Sequence, residues 1–567
     1  MATERATEEF KAWERATTDK ATTMTLWQQI ANYHLPNRSD YLVQKWPGQK
    51  RMTYIYDASP VWALDQHAAG VHSLLTSNSL IWAWLRTFDE RINNDDAARD
   101  WLDDASMVLF RIFSSARNNF ASQSYEVFLD TGSIGSATMF ALDSPKNDIL
   151  FTTRHMKEIV WFENDEDRVD GVIRNWEWTA KQAVQAWGDK VKGKVRDAFN
   201  AGNDQNKFMF LHSIRPRIKR DVQRADRQNM PWSSCYISVA DKEEIDEGGF
   251  REFPAFCPRF SKASGEIYGR GPGSIAQPDT QMLNDFKKLL LKSAQKIIDP
   301  PLQIPDNGFL LQIKTVPGSF NFYRSGLPQT DRISPIETKG NIPIGIELFN
   351  AVQQQIMRTF YVDMLHMPID PSDPGSEGKG ITATYWLQRR DKEMMMIAPM
   401  LARMQAEFLG PAIDRVFAML WRKSKKMGFG PGSPFKPPPA ILSGRPLQVE
   451  YVSPIALAQK STQMDGIQRL LQIQQALRQI DNTSPITIDG EAILRIASRD
   501  FNAPIAALKS PERMQQEAQA RAQAEAALHN TQIAQGLAGA AKDGTAALGN
   551  LKDAQSADNE NNQENAA

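Results

Sequence analysis

The chain is short of cysteine, of long apolar runs and of net charge, and each shortage removes a class of protein. Two cysteines, Cys235 and Cys257, occur in 567 residues, with no CxxC and no histidine at ligand spacing from either. Neither a disulfide framework nor a zinc site is implied, and the scarcity suits a reducing cytoplasm. No stretch approaches the roughly 18 uninterrupted apolar residues of a membrane helix. The most apolar segment, Met394 to Trp421, is broken by Arg403, Glu407, Asp414 and Arg415 and reads as a buried helix pair. The opening MATERATEEFKAWERATTDK is charged and has no apolar core, so no signal peptide and no membrane partner is expected. Lysine plus arginine number 66 against 67 acidic residues, a formal charge of −1. A protein that grips nucleic acid over a broad surface needs clustered, uncompensated cations, so any such contact here should be local or transient. The expectation is a soluble protein made in the cytoplasm.

Catalytic signatures are equally thin. GxSxG and HExxH are absent, and no Cys/His constellation appears. Gly188 to Lys194 fits GxxxxGK, but Val195 stands where a phosphate loop needs a magnesium-binding hydroxyl, and the preceding TAKQAVQAW is helical rather than a strand. It reads as a charged turn between helices. His67 and His72, with Asp65 nearby, are spaced i, i+5 where zinc helices use i, i+4, and read as a polar helix face. Gly132-Ser-Ile-Gly135 reads as tight packing between helix and strand. No enzyme, no cofactor and no metal site is expected.

What the sequence does carry is a clear order of elements. Helical periodicity covers residues 1 to about 35, Ser59 to Leu75, Asp95 to Arg117 and Tyr125 to Asp130. The period then changes: DILFTTR, EIVWFEN, DRVDGVIRNWEW, KFMFLHSIRPRI and SSCYISVADKE alternate in the manner of strands, interrupted by the short helix TAKQAVQAWG and followed by the extended run EFPAFCPRFSK. This front half is α+β. From Asp279, taken as an N-cap after Pro278, a helix of about 30 Å runs to the hard stop Asp299-Pro300-Pro301. Residues 300–342 lack helical period and read as a compact β insert, after which a helix from about Ile344 to His366 spans roughly 34 Å. Two matched helices bracketing an insert form a stalk with a knob. MPIDPSDPGSEGKGIT (367–382) is a loop by composition. Long helices follow from Ala383, bent at Pro399 and broken at Gly410-Pro411, and then PGSPFKPPPA reads as a linker and LQVEYVS as a strand. Residues 456–508 are mostly helical, 511–535 are Ala/Gln/Glu-rich and helical, and 536–567 carry too few large apolar residues to fold alone.

Within the first stalk helix, FKKLLLKSAQKIIDPP (286–301) places Lys288, Lys292 and Lys296 in one row spanning about 80° of the helix surface. Gln281, Asn284, Asp285 and Gln295 share that face, and Phe286, Leu290, Ala294 and Ile297 lie opposite. A row of this kind is usually a solvated face.

Several stretches taken together resemble one family. WQQIANYHLPNRSDY, TYIYDASPVWALDQHAAGVHSLLTSNSLIWAWLR, FLDTGSIGSATMF, FPAFCPRFSKASGEIYGRGPG, the helix ending in DPP, ITATYWLQRRDKEMMM and VEYVSPIALAQKS occur in the order found in the portal, or head-to-tail connecting, proteins of short-tailed, podovirus-type bacteriophages. The resemblance covers roughly residues 20–470. It implies the portal fold, helix-rich α+β, in a ring usually of twelve subunits at one capsid vertex. On that plan residues 1–278 are a wing, 279–299 and 343–366 the two stem helices and 300–342 the clip. Residues 367–382 are a channel loop, 383–440 wing helices and linker, 441–510 a crown, 511–535 a possible barrel helix and 536–567 a disordered tail. The implied partners are double-stranded DNA passing non-specifically through the channel, the terminase large subunit, tail or adaptor proteins, and the major capsid and scaffolding proteins. Lys288, Lys292, Lys296 and, in the channel loop, Lys379 become DNA-channel candidates. The alternative within virion proteins is another connector or adaptor with no packaging role.

Overall fold

The computed structural model describes residues 4–303 apart from 47, 54, 79–80, 94, 145–148 and 225, together with 334–335, 342–365, 396–452 and 523. Two compact units divide the chain at Ser453/Pro454, and the first is described below. Most of the segment expected as clip (300–342), the 367–382 loop with Lys379, most of the segment expected as crown (441–510), the 511–535 segment apart from residue 523, and the segment 536–567 lie outside the described residues.

Helix α1 (Glu4–His34) opens the chain and α2 (Ser59–Leu75) has the limits its apolar spacing predicts. Strand β1 (Ala83–Thr87), the single turn α3 (Glu90–Asn93) and α4 (Asp96–Ser114) follow. The Asp95 carboxylate caps α4 by accepting from the Ala98 amide at 3.0 Å. Helix α5 (Phe120–Ser133) leads into β2 (Thr138–Asp143), β3 (Ile149–Arg154), β4 (Ile159–Glu163) and β5 (Val169–Thr179). Thr179 and Gln182 form a reciprocal capping box at the start of α6 (Ala180–Trp187), which is followed by α7 (Gly193–Asn200). Strands β6 (Lys207–Pro216), β7 (Trp232–Ser238), β8 (Glu243–Phe250) and the two-residue β9 (Ala255–Phe256) complete an α+β front half.

Strands β4 to β8 form one antiparallel sheet in sequence order. Its strands alternate imperfectly because both faces are covered. Ile173, Leu211 and Ile237 pack with Ala6, Phe10 and Trp13 of α1, while Trp176 and Phe210 pack with Ala183 of α6 and Val195 of α7. Lys20 of α1 is fully buried here. Its ammonium donates to the carbonyls of Met156 and Ile159 and lies 5.1 Å from the Trp27 ring, and burial pushes its pKa down to about 7. A smaller sheet, in the order β3-β2-β9, lies in the largest core, where Phe113, Phe120, Phe128 and Phe151 meet Phe408.

Phe408 belongs to the C-terminal part of this unit, which closes back on the front half. Residues 396–404 are helical, Gln405–Leu409 form a π turn, and α11 (Gly410–Lys426) follows without interruption. The break expected at Gly410-Pro411 is therefore a wider turn. Pro411 has no N–H to give in the α register, and Gly410 N instead bonds the Gln405 carbonyl five residues back. The π turn presents Glu407, which accepts from the backbone N–H of Arg259 at 2.9 Å and from its guanidinium at 2.7 Å. Arg259 is itself buried and also pairs with Glu163. The proline-rich linker is pinned: Phe435 is buried beside Trp101 and Phe417, and the Trp101 indole donates to the Lys436 carbonyl at 3.0 Å. Strand β12 (Leu447–Tyr451) pairs antiparallel with β1, and the first unit runs to Ser453. The two-residue strands β10 (Leu302–Gln303) and β11 (Ser334–Pro335) pair at the base of the insert.

Two glycine-rich segments interlock where the front half gives way to the stalk. Gly135 has φ of +83°, and a Cβ there would lie 2.4 Å from the Arg270 carbonyl carbon and the Gly271 nitrogen. A Cβ on Gly271 would lie 2.4 Å from the Thr131 oxygen, and Gly269 and Gly273 meet Gly135 and Ser133 as closely. The tight packing expected of TGSIGS is therefore present, but its partner is YGRGPG more than 130 residues later rather than the adjacent strand. Gly271→Ala, in an extended conformation that alanine tolerates, should destabilise the fold by about 1–3 kcal/mol through overpacking against backbone. Gly248→Ala, with no neighbour nearer than 3.8 Å, is the matched control and should leave the melting temperature nearly unchanged. Thermal unfolding of the two variants checks this.

Candidate nucleic-acid interface

Helix α8 (Pro272–Ile298) begins seven residues before the expected N-cap at Asp279. Pro272 occupies its first position, where a missing N–H costs nothing, and the interlock at Gly271 fixes the entry. Pro278 and Asp279 are inside the helix rather than before it, with the proline on the exposed side. The end at Ile298, with Asp299 as C-cap, agrees with the prolyl stop.

The returning helix α9 (Ile342–Thr359) stops short of the expected His366. Tyr361 takes φ of +57°, and one further turn, α10 (Val362–Leu365), follows. The buried His67 ring holds the Phe360 carbonyl through Nδ1 at 2.8 Å, which takes that oxygen out of the helical ladder. His67 is thus a buried latch rather than part of a polar face, and His72 turns separately to the Ala121 carbonyl at 3.2 Å. Among the described residues no cluster of three or more His, Cys, Asp or Glu side chains could hold a metal. The GxxxxGK segment is a turn whose Lys194 amide donates to Asp241 at 3.1 Å, with Gly193 close against the same carboxylate.

Helices α8 and α9 run antiparallel, with Gly345 against Leu290 and the Lys287 ammonium 4.8 Å over the Phe349 ring. Ala276, Leu283, Val352, Ile356 and Phe360 form the seam, closed by Leu64 of α2. Phe286, Leu290 and Ala294 are partly buried, as the periodicity implied, whereas Ile297 stays exposed.

Lys288, Lys292 and Lys296 are exposed, on the side of α8 turned away from this seam. Lys288 lies 5.7 Å from the Tyr56 ring, and among the described residues Lys292 and Lys296 have no carboxylate within salt-bridge distance. Asp285 shares the face and is also exposed. Asn284, which periodicity alone places beside the lysines, is buried instead. Its amide oxygen accepts from the Tyr56 and Asp57 N–H groups at 2.8 and 3.3 Å, and its nitrogen donates to the Thr280 carbonyl at 3.0 Å. Lys287 adds a pair with Asp57 at 3.6 Å. Sequence reading missed this anchor because nothing local marks which polar residue on a wet face has a partner 227 residues away.

The arrangement is a paired-helix stalk rooted in an α+β body, with an exposed, mainly basic face. A family model for the bacteriophage head to tail connecting protein matches residues 7–508. The chain belongs to that family of phage connector proteins. It is 28% identical over 466 residues to a probable portal protein of Bordetella phage BPP-1, covering 81% of this chain and 80% of that one. To the portal protein of Salmonella phage epsilon15 it is 24% identical over 471 residues, covering 82% and 81%.

Two buried histidines sit where the stalk meets the body. Burial pushes His34, 3.4 Å from Thr280, and His67 down to a pKa of about 4. Both stay neutral in the folded chain while the unfolded chain takes up protons near 6.5, so stability is present above pH 6.5 and falls as pH drops toward 4. Melting temperatures from pH 7.5 to 4.5 should show that decline, and His34→Gln with His67→Gln should make it shallower, the remainder coming from the buried His212, whose pKa burial pushes down to about 3. Asn284→Ala should cost about 1–3 kcal/mol by removing the acceptor of the buried Asp57 amide and the part-buried Tyr56 amide, and should speed limited proteolysis within residues 41–57.

Proposed function

We propose that the chain forms a closed ring, of twelve copies in the virion, at one capsid vertex and that double-stranded DNA passes through its centre during packaging and ejection. The observation that supports this most directly is the antiparallel stalk with its exposed lysine face, in a chain that belongs to the head-to-tail connecting family. The stem helices would line the channel, with Lys288, Lys292 and Lys296, and Lys379 from the channel loop, toward the DNA. A conduit must not hold a moving strand, because every neutralised phosphate adds affinity. A few lysines on a chain of formal charge −1 meet that requirement. The insert between the stem helices would receive the terminase large subunit, whose ATPase drives packaging, and later the tail or adaptor proteins. The wing would face the major capsid and scaffolding proteins.

Negative-stain microscopy of the purified protein should show rings with a central hole; a monodisperse monomer under all conditions would sink the reading. Changing Lys288, Lys292 and Lys296 together to Gln should leave the rings intact and alter the amount of DNA packaged or retained in a packaging assay. Collapse of the rings would instead place those lysines between subunits.

A further inference from the structure

A ring closed by rotation needs two different surfaces on each subunit, facing opposite ways, because each copy meets one neighbour on each side. Two of the exposed apolar surfaces among the described residues lie on opposite flanks of α8. One is the irregular segment 41–56, residues 47 and 54 aside. Its Leu42, Val43 and Trp46 are outward, with Trp46 66% exposed. The segment is not slack. Tyr41 is buried edge-on against Trp27, the Leu42 amide donates to Gln28 at 2.9 Å, and the far end is held by Asn284. A pinned segment that turns large apolar side chains into water marks a contact site.

The other surface is a ridge on α8 itself. Ile275, Met282 and Leu289 recur every seven residues and are 67%, 41% and 59% exposed. They drift only about 20° per step and so make a ridge roughly 21 Å long. Met282 and Asn284, the residue that anchors the first surface, point about 160° apart round the helix. Charge agrees with the pairing at the middle of the ridge. Between Asp40 and Asp57 the segment's charged residues are Lys45, Lys50 and Arg51, all positive, whereas Asp279 and Asp285 stand three residues either side of Met282; Lys292 lies beyond them, beside Leu289.

We infer that the 41–56 segment of one copy seats on the Ile275–Met282–Leu289 ridge of the next, an inference that rests on the ring assembly proposed above and identifies its contact. The lysine row falls between the two flanks, with Lys288 beside Tyr56 of the segment and Lys296 beside the end of the ridge.

The test uses the full chain with Trp46→Cys and Met282→Cys together; the native Cys235 and Cys257 are buried and do not compete. Mild oxidation should give a ladder of covalent multimers on a non-reducing gel, and neither single variant should give one. Trp46→Asp and Met282→Asp, each at an exposed position, should shift the protein from rings to monomers by light scattering with little change in melting temperature. Rings in the wild type, with no ladder and with rings kept in both Asp variants, would overturn this contact while leaving the ring standing. Retained rings that no longer bind capsid shells in the Trp46→Asp variant would also overturn it and assign the segment to the shell. A wild type that stays monomeric under all conditions would overturn both readings.

Discussion

The contact between the Thr131–Gly135 backbone and the Gly269–Gly273 backbone sets the rest of the architecture. Side chains normally keep two backbones apart, and here four glycines remove them, so that main-chain atoms meet at distances a Cβ would forbid. One partner is the end of α5, whose Val127 and Phe128 lie in the largest core. The other is the first turn of α8. The direction in which the stalk leaves the body is thus fixed by rigid main chain rather than by adjustable side chains, which suits an element whose displacement is multiplied along its length.

Polar latches reinforce that joint. Glu407 reaches Arg259 from the π turn, His67 reaches the Phe360 carbonyl, and Asn284 holds two amides of the preceding segment. Each joins elements far apart in sequence, and in each at least one partner is buried (Arg259, His67, Asn284), so that breaking it leaves that group unsatisfied away from water. The π turn shows the same economy. The register change that accommodates Pro411 also aims Glu407 at Arg259, three residues past β9.

Much of this was legible beforehand. The limits of α2, the strands from Ile149 to Ser238, the end of α8 at the prolines and the antiparallel stalk follow from periodicity and from Pro, Gly and Asp punctuation. The ordered series of motifs pointed to the family that the match over residues 7–508 establishes. The strands β1, β2 and β8 were not legible, because IWAWLR, TMFAL and EEIDEGGF lack alternation that can be read without their partners. Nor was the true start of α8, since a proline-aspartate pair reads as a helix start until the upstream glycine joint is seen to have begun the helix already. The Pro-rich segment around Phe435 looked like a linker for a related reason: composition does not reveal that one aromatic residue has a pocket.

By itself the sequence determined what neighbouring residues can dictate. It set the order of helices and strands, the balance of charge, the basic row on α8 and membership of a family through motifs in series. The tertiary structure alone decided which members of a face are free and which are held. Lys288, Lys292 and Lys296 stand in solvent while Asn284, on the same side by periodicity, is buried. It also decided that TGSIGS and YGRGPG are two halves of one joint. The physical reason is range: helical and strand periods are written within a few turns of chain, whereas a buried hydrogen bond or a backbone contact needs a partner brought from far away by the packing of the core.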